Sequence, residues 1–162
     1  MDIKIRKVTL EDFEAVVAVE AECFPQAEAA TRESLEDRIK VFDGSFFVAE
    51  DGERIIGFVN GCVSNERTIG DEMFRDASLH DPQGNYQSIF GLDVIPEYRN
   101  RGIAARLMEH IINASQLAGR KGVILTCKEH LIKYYSKFGF ENMGISASQH
   151  GGAEWYDMVL EF

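Results

Sequence analysis

Gly91-Leu92-Asp93-Val94-Ile95-Pro96-Glu97-Tyr98-Arg99-Asn100-Arg101-Gly102-Ile103-Ala104 joins an apolar run to a helix across a short basic turn. The run stops at Pro96, and a helix opens among small residues from Gly102. Successive amide N–H groups at such a junction point outward, and the helix dipole favours negative charge there. Gly102 and Ala104 leave room for phosphate to approach the backbone. Arg99 and Arg101 add positive potential to a chain whose formal net charge is −10. Neither G-x-x-x-x-G-K-[ST] nor G-x-G-x-x-G is present, so this is not one of those two phosphate motifs.

Downstream, the pattern runs strand, helix, strand, helix, strand. Ile89 to Val94 is predicted as one strand. Residues 102–118 carry Ile103, Leu107, Met108, Ile111 and Ile112 on one helical face. Val123 to Cys127 is a short buried strand, His130 to Phe138 a helix ended by Gly139, and Trp155 to Phe162 a closing strand. Upstream, Ile3 to Val8 alternates as a strand. Thr9-Leu10-Glu11-Asp12 approximates a capping box before Phe13, Val16, Val17 and Val19. Cys23-Phe24-Pro25 breaks that helix, and a second follows Thr31 with Leu35, Arg38 and Ile39 at helical spacing. Phe46 to Glu50 and Ile55 to Val63 form a hairpin about Asp51-Gly52. Residues 64–86 are the least regular, with a short helix expected near Asp71–Phe74; so long a connection is more often functional than idle. The sum is one α/β domain with a mixed sheet over 1–162.

The 162 residues suffice for one core without staples. Apolar residues at 45% and charged residues at 27% are ordinary for a globular protein. Apolar runs fall far short of the ~20 residues of a membrane span. The N-terminus lacks a signal-peptide core, which predicts a cytoplasmic protein. Cys23, Cys62 and Cys127 are odd in number and widely spaced, against a disulfide framework or a zinc site. The acidic balance disfavours nucleic acid as a partner.

Arg99-Asn100-Arg101-Gly102-Ile103-Ala104 resembles the [Q/R]-x-x-G-x-[G/A] pyrophosphate loop of GNAT acetyltransferases, and it follows a family-like Leu92-Asp93-Val94-x-Pro-x-Tyr98-Arg99. Tyr134-Tyr135-x-x-Phe138-Gly139-Phe140 is similar to the family's late helix and turn. The resemblance spans essentially the whole chain. It implies a mixed, mostly antiparallel central sheet with a splayed strand pair and helices on both faces. It also implies an N-acetyltransferase that uses acetyl-CoA, without a metal, on a small-molecule amine. The strand Leu92-Asp93-Val94 would offer main-chain groups to the pantetheine arm, through Leu92 and Val94. Amides of Asn100, Arg101, Gly102, Ile103, Ala104 and Ala105, with Arg99 beside them, would take the pyrophosphate. Tyr135 matches the family tyrosine beside the CoA sulfur and is the candidate acid, whereas Tyr134 is expected to pack.

Within the family the chain looks most similar to arylalkylamine (serotonin-type) N-acetyltransferases. Asn65-Glu66-Arg67, His80-Asp81-Pro82-Gln83-Gly84, Leu125-Thr126-Cys127-Lys128 and Tyr135-Ser136-Lys137-Phe138-Gly139-Phe140 carry that likeness. Where animal members place two histidines, this chain has Ser88 and Phe90, so a histidine relay is absent there. No one base stands out. Asp93 alternates away from Ser88, Phe90 and Leu92; Glu22 and Glu28, as lining of an acceptor pocket, and His150, at its entrance, stand as alternatives to the simpler reading of all three as solvated surface groups, and a water chain serves equally. An acceptor pocket is expected between Phe24-Pro25, the 64–86 loop and Trp155-Tyr156, with Phe24, Phe90 and Trp155 as aromatic lining. Other amines, or a silent acyl-CoA-binding module, stay open as alternatives. Exposed sheet edges leave homodimerisation open as well.

Overall fold

A computed structural model describes residues 2–162. Strand β1 (Ile3–Lys7) pairs antiparallel with β2 (Phe46–Asp51), which turns at Gly52 into β3 (Arg54–Asn60). Between β1 and β2 lie helices α1 (Phe13–Cys23) and α2 (Arg32–Val41). A 3-10 turn, Leu10–Asp12, leads into α1. The Asp12 carboxylate takes the Thr9 N–H at 2.9 Å and is held by Arg6 at 2.8 Å, so the expected cap is reinforced by an ion pair. Thr31 accepts the Ser34 N–H at 3.1 Å and starts α2.

The second strand of the hairpin ends at Asn60, three residues short of the expected Val63. Val63–Ser64 is β4 and belongs to a second sheet. Gly61 makes the crossing: a Cβ there would lie 1.8 Å from the Ser88 carbonyl oxygen, so only glycine permits this approach. The loop after β4 contains α3 (Asp71–Arg75), as expected.

The run predicted as one strand from Ile89 to Val94 is two. β5 (Tyr86–Ile89) and β6 (Gly91–Val94) part at Phe90. β6 joins β3 antiparallel, giving the order β1-β2-β3-β6. β5 runs parallel to β7 (Gly122–Cys127), and the second sheet has the order β4-β5-β7-β9-β8. Buried Gln87 secures the break by donating its amide to the carbonyls of Gly61 and Ser88, both at 2.8 Å. These bonds replace ladder contacts that a straight strand would make. β6 and β7 therefore diverge, which is the splayed pair of a mixed, mostly antiparallel arrangement.

Helix α4 (Ile103–Leu117) buries Ile103, Leu107, Met108 and Ile111, each worth ~1.5–3 kcal/mol against exposure. These meet Phe46, Phe58 and Met158 in the main core. α1 and α2 cover the face of the first sheet that carries Asn60, and α4 covers the other. α5 (Ile132–Ser136) ends in a turn at Gly139, where φ is +100°. β9 (Tyr156–Glu161) closes the second sheet against β7. β8 (Glu141–Ile145), an edge strand with Met143 and Ile145 exposed, was not expected. No helix among the described residues is long and apolar enough to cross a membrane.

Candidate active site

The gap between β6 and β7 opens into two joined cavities. The outer one, about 670 Å³, runs from Arg99, Asn100 and Gly102 past Val94 and Leu92 to Tyr134 and Trp155. The inner one, about 260 Å³, is walled by Phe24, Phe74, Phe90, Tyr134, Tyr135, His150 and Trp155. Leu92, Ala104, Leu131 and Tyr134 line both, so they form one channel.

Pairing with β3 decides which way the β6 backbone faces. Ile95 donates to the Ile56 carbonyl at 3.0 Å. Alternation then turns the main chain of Asp93 toward β3 and that of Leu92 and Val94 toward the gap. The Val94 carbonyl is already engaged, by Arg99 Nε at 2.8 Å and the Cys23 thiol at 3.4 Å. Asp93 contributes nothing to the channel wall: its main chain is spent on β3 and its side chain is buried behind. Asn100 (φ +63°) and Gly102 (φ +76°) take left-handed conformations that bend the loop under the helix start. The first backbone bond of α4 is Arg106 N–H to the Gly102 carbonyl at 3.1 Å. Amides of Ile103, Ala104 and Ala105 precede it, as donors at the positive end of a helix. Arg101 stacks on Tyr98 at 5.2 Å, and Tyr98 is pinned by its hydroxyl to Asp51 at 2.6 Å.

Tyr135 faces the inner cavity, its ring edge-on to Tyr134 (5.2 Å) and Phe140 (6.2 Å). Burial, with Cys127, Tyr134 and Asp93 adding to it, pushes its phenol well above the ordinary tyrosine value. Tyr134, expected only to pack, lines both cavities. Cys127 also lines the inner cavity, but burial pushes its thiol up to about 11, which makes it a poor nucleophile at neutral pH.

Three acids line the inner cavity: Glu20, Glu28 and Asp71. Glu28 pairs with Lys128 at 2.9 Å. Burial acts to raise the Asp71 carboxyl, but donors from Ser148 and Gln149 outweigh it and hold Asp71 below its usual range. His150 is no solvated loop histidine. Its ring packs on Phe74 at 4.2 Å, and its Nε2 lies 2.7 Å from the Glu28 carbonyl. A carbonyl only accepts, so Nε2 carries a proton and donates it there. Trp155 donates its indole N–H to the His150 carbonyl at 2.8 Å and is fixed beside it.

Ser88 and Phe90 separate. Ser88 is fully buried and donates to the Cys62 carbonyl at 2.7 Å, outside the channel; Phe90 lines the inner cavity. Glu22 is exposed and lines neither cavity, and His80 is spent accepting the Val63 N–H at 2.9 Å. The acceptor-pocket expectation placed Phe24, Phe90 and Trp155, and all three are here. Sequence reasoning missed Glu20, Asp71 and Phe74. Glu20 left a signal: it continues the buried Val16–Val19 stripe of α1, where a lone acid needs a reason.

Residues 13–140 match the acetyltransferase (GNAT) family. Serotonin N-acetyltransferase of Mesocricetus auratus is 26% identical over 107 residues, 65% of this chain and 50% of that protein. Probable hydrolase YhcX of Bacillus subtilis is 26% identical over 98% of this chain and 32% of that protein. The chain thus spans 32% to 50% of the length of these curated relatives. Among solved structures, the GphF GNAT-like decarboxylase in complex with isobutyryl-CoA superposes with a TM-score of 0.81 at 20% identity, covering 98% of each chain.

Proposed function

The chain belongs to the acetyltransferase (GNAT) family, and from that premise we propose that it transfers the acetyl group of acetyl-CoA to the primary amine of an arylalkylamine. The observation that carries the acceptor class is the inner cavity, where aromatic rings and carboxylates converge beside Tyr135. Rings take the aromatic body of such an acceptor, and acids attract its ammonium. The name of the hamster relative, a serotonin N-acetyltransferase, supports the same class.

The outer cavity fits acetyl-CoA in size and charge: Arg99 lines it, with helix-start amides beside it. Acetyl-CoA, when bound, supplies an activated thioester carbonyl. Amides of Asn100 to Ala105 would hold its pyrophosphate, and main-chain groups of Leu92 would hold the pantetheine. An outward amide of β6 is the donor for the carbonyl oxygen as charge develops on it. Tyr135 would protonate the departing sulfur; a phenol held above its ordinary value stays protonated for that task.

A polyamine acceptor is the second reading, favoured by the three acids of the same cavity. Initial rates with acetyl-CoA over a panel of phenethylamine, spermidine and a lysine peptide decide between them. Phenethylamine should lead in kcat/KM by ~10²-fold, the worth of burying one ring. Spermidine ahead would overturn the arylalkylamine class. A raised Tm with acetyl-CoA but no acetylated product would mark a module that binds without transfer.

A further inference from the structure

Beneath the inner cavity lies a buried polar cluster that the steps above leave unused. Glu20 is 5% exposed, lines the cavity, and accepts the Ala30 N–H through Oε2 at 2.8 Å. A Cβ at Gly91 would sit 3.8 Å from Glu20 Oε1, 3.0 Å from Asp93 Oδ1 and 3.5 Å from Asn60 Nδ2. The three polar atoms therefore converge on space that a side chain at residue 91 would fill. Asp93 is 1% exposed, and among the described residues neither of its oxygens meets an N–H donor, while Asn60 Nδ2 meets no acceptor. Arg38, the cation that reaches this cluster among the described residues, is spent on Asn60 Oδ1 (3.1 Å) and the Phe74 carbonyl (2.8 Å), between the rings of Phe74 and Phe90.

One guanidinium cannot neutralise two buried carboxylates, and leaving one uncompensated is costly. Burial first, and Glu20 next, hold the Asp93 carboxyl well above the usual range, with Cys23 adding and Arg38 opposing. Asp93 is then the neutral member of the pair. Glu20 is the member that has a donor, the Ala30 N–H, and the cavity in front of it. The groups that face it are Arg38 of α2, Asn60 of β3 and Asp93 of β6, with Cys23 further along α1 and Tyr135 across the cavity.

We propose that Glu20 is the proton acceptor for the incoming amine, and that Asp93 positions it by holding a neutral carboxyl against its Oε1. The inference rests on the acetyltransferase reading. An acceptor arrives as its ammonium, and Glu20 takes one proton as that N–H bond breaks. The freed lone pair forms the C–N bond to the thioester carbonyl, and the C–S bond breaks with its electrons on sulfur. Tyr135 gives the sulfur a proton and recovers one from the new amide nitrogen. Glu20 returns its proton to water as product leaves, so the sum is ammonium plus thioester to amide, thiol and one proton.

The test compares two acceptors of similar shape, phenethylamine and its weakly basic β,β-difluoro analogue. At pH 7 the first is neutral in about one molecule in a thousand, whereas the second needs no base. Glu20→Gln keeps an oxygen for the Ala30 N–H and removes the base. Its kcat should fall ~10²-fold for phenethylamine and only a few-fold for the difluoro analogue. Equal losses would show that Glu20 only packs, and overturn the proposal. If the Gln variant does not fold, Glu20→Asp takes its place: drawing the carboxylate back by one methylene should lower kcat more for phenethylamine than for the difluoro analogue, and equal losses again overturn the proposal. Infrared spectroscopy of the unliganded protein reads the pair without turnover. A protonated carboxyl band at pH 7, lost in Asp93→Asn and moved in Glu20→Gln, is expected; no such band overturns it. A wild type that binds acetyl-CoA yet acetylates no amine overturns the acetyltransferase reading and this one with it, whereas equal losses leave that reading standing.

Discussion

Burial is the first influence on the Tyr135 phenol, and it acts in the direction an acid requires. Desolvation penalises the phenolate, so the hydroxyl keeps its proton beyond the ordinary tyrosine value of ~10. The wild-type kcat should therefore show no fall from phenol ionisation through pH 10. Tyr135→Phe keeps the ring against Tyr134 and Phe140 and removes only the donor. Its kcat should drop ~10²-fold while acetyl-CoA still raises Tm by the wild-type amount. Rates and pH profiles of both proteins check this. A Phe variant with unchanged kcat would reduce Tyr135 to packing.

The loop between β6 and α4 behaves as an element of its own, and it was legible because its signals are local. Pro96, the basic turn and Gly102 lie within a few residues of one another, and each constrains the backbone directly. A Cβ at Gly102 would meet nothing within 4 Å, so a side chain there projects into the open outer cavity. Gly102→Leu should cost ~1–2 kcal/mol for the left-handed φ of +76° and leave the fold intact. The Tm rise with acetyl-CoA should vanish, and thermal scans with and without acetyl-CoA measure both effects. A full rise in the variant would remove the loop from phosphate binding. What the sequence hid was non-local. Nothing in the apolar run Ile89–Val94 announces a break at Phe90, since the break depends on Gln87 reaching Gly61 across the sheet. β8 carried no alternation because it is an exposed edge strand. The Glu20, Arg38 and Asp93 cluster draws on α1, α2 and β6. Each charge fell on an apolar stripe, but nothing local says that three stripes meet.

At the scale of the whole molecule, the formal charge of −10 and the three acids of the inner cavity act in the same sense on a cationic acceptor. Surface charges reach ~30 Å at 0.01 M salt and ~10 Å at 0.1 M, so the far field is removed first. An ammonium is drawn toward the protein and then into the cavity, and screening weakens both steps. KM for phenethylamine should therefore rise several-fold between ~0.01 M and ~0.2 M salt, with kcat nearly constant. The difluoro analogue is far less basic and carries a smaller cationic fraction at pH 7, so its KM should rise less across the same range. Arg99 does not confuse the comparison, because it lines the outer cavity and not the inner one, and acetyl-CoA is held saturating in both series. Salt curves for the two amines, taken on the same protein, make the measurement. Parallel curves would mean that the acids of the inner cavity do not sense the acceptor's charge. The aromatic walls alone would then have to select the substrate.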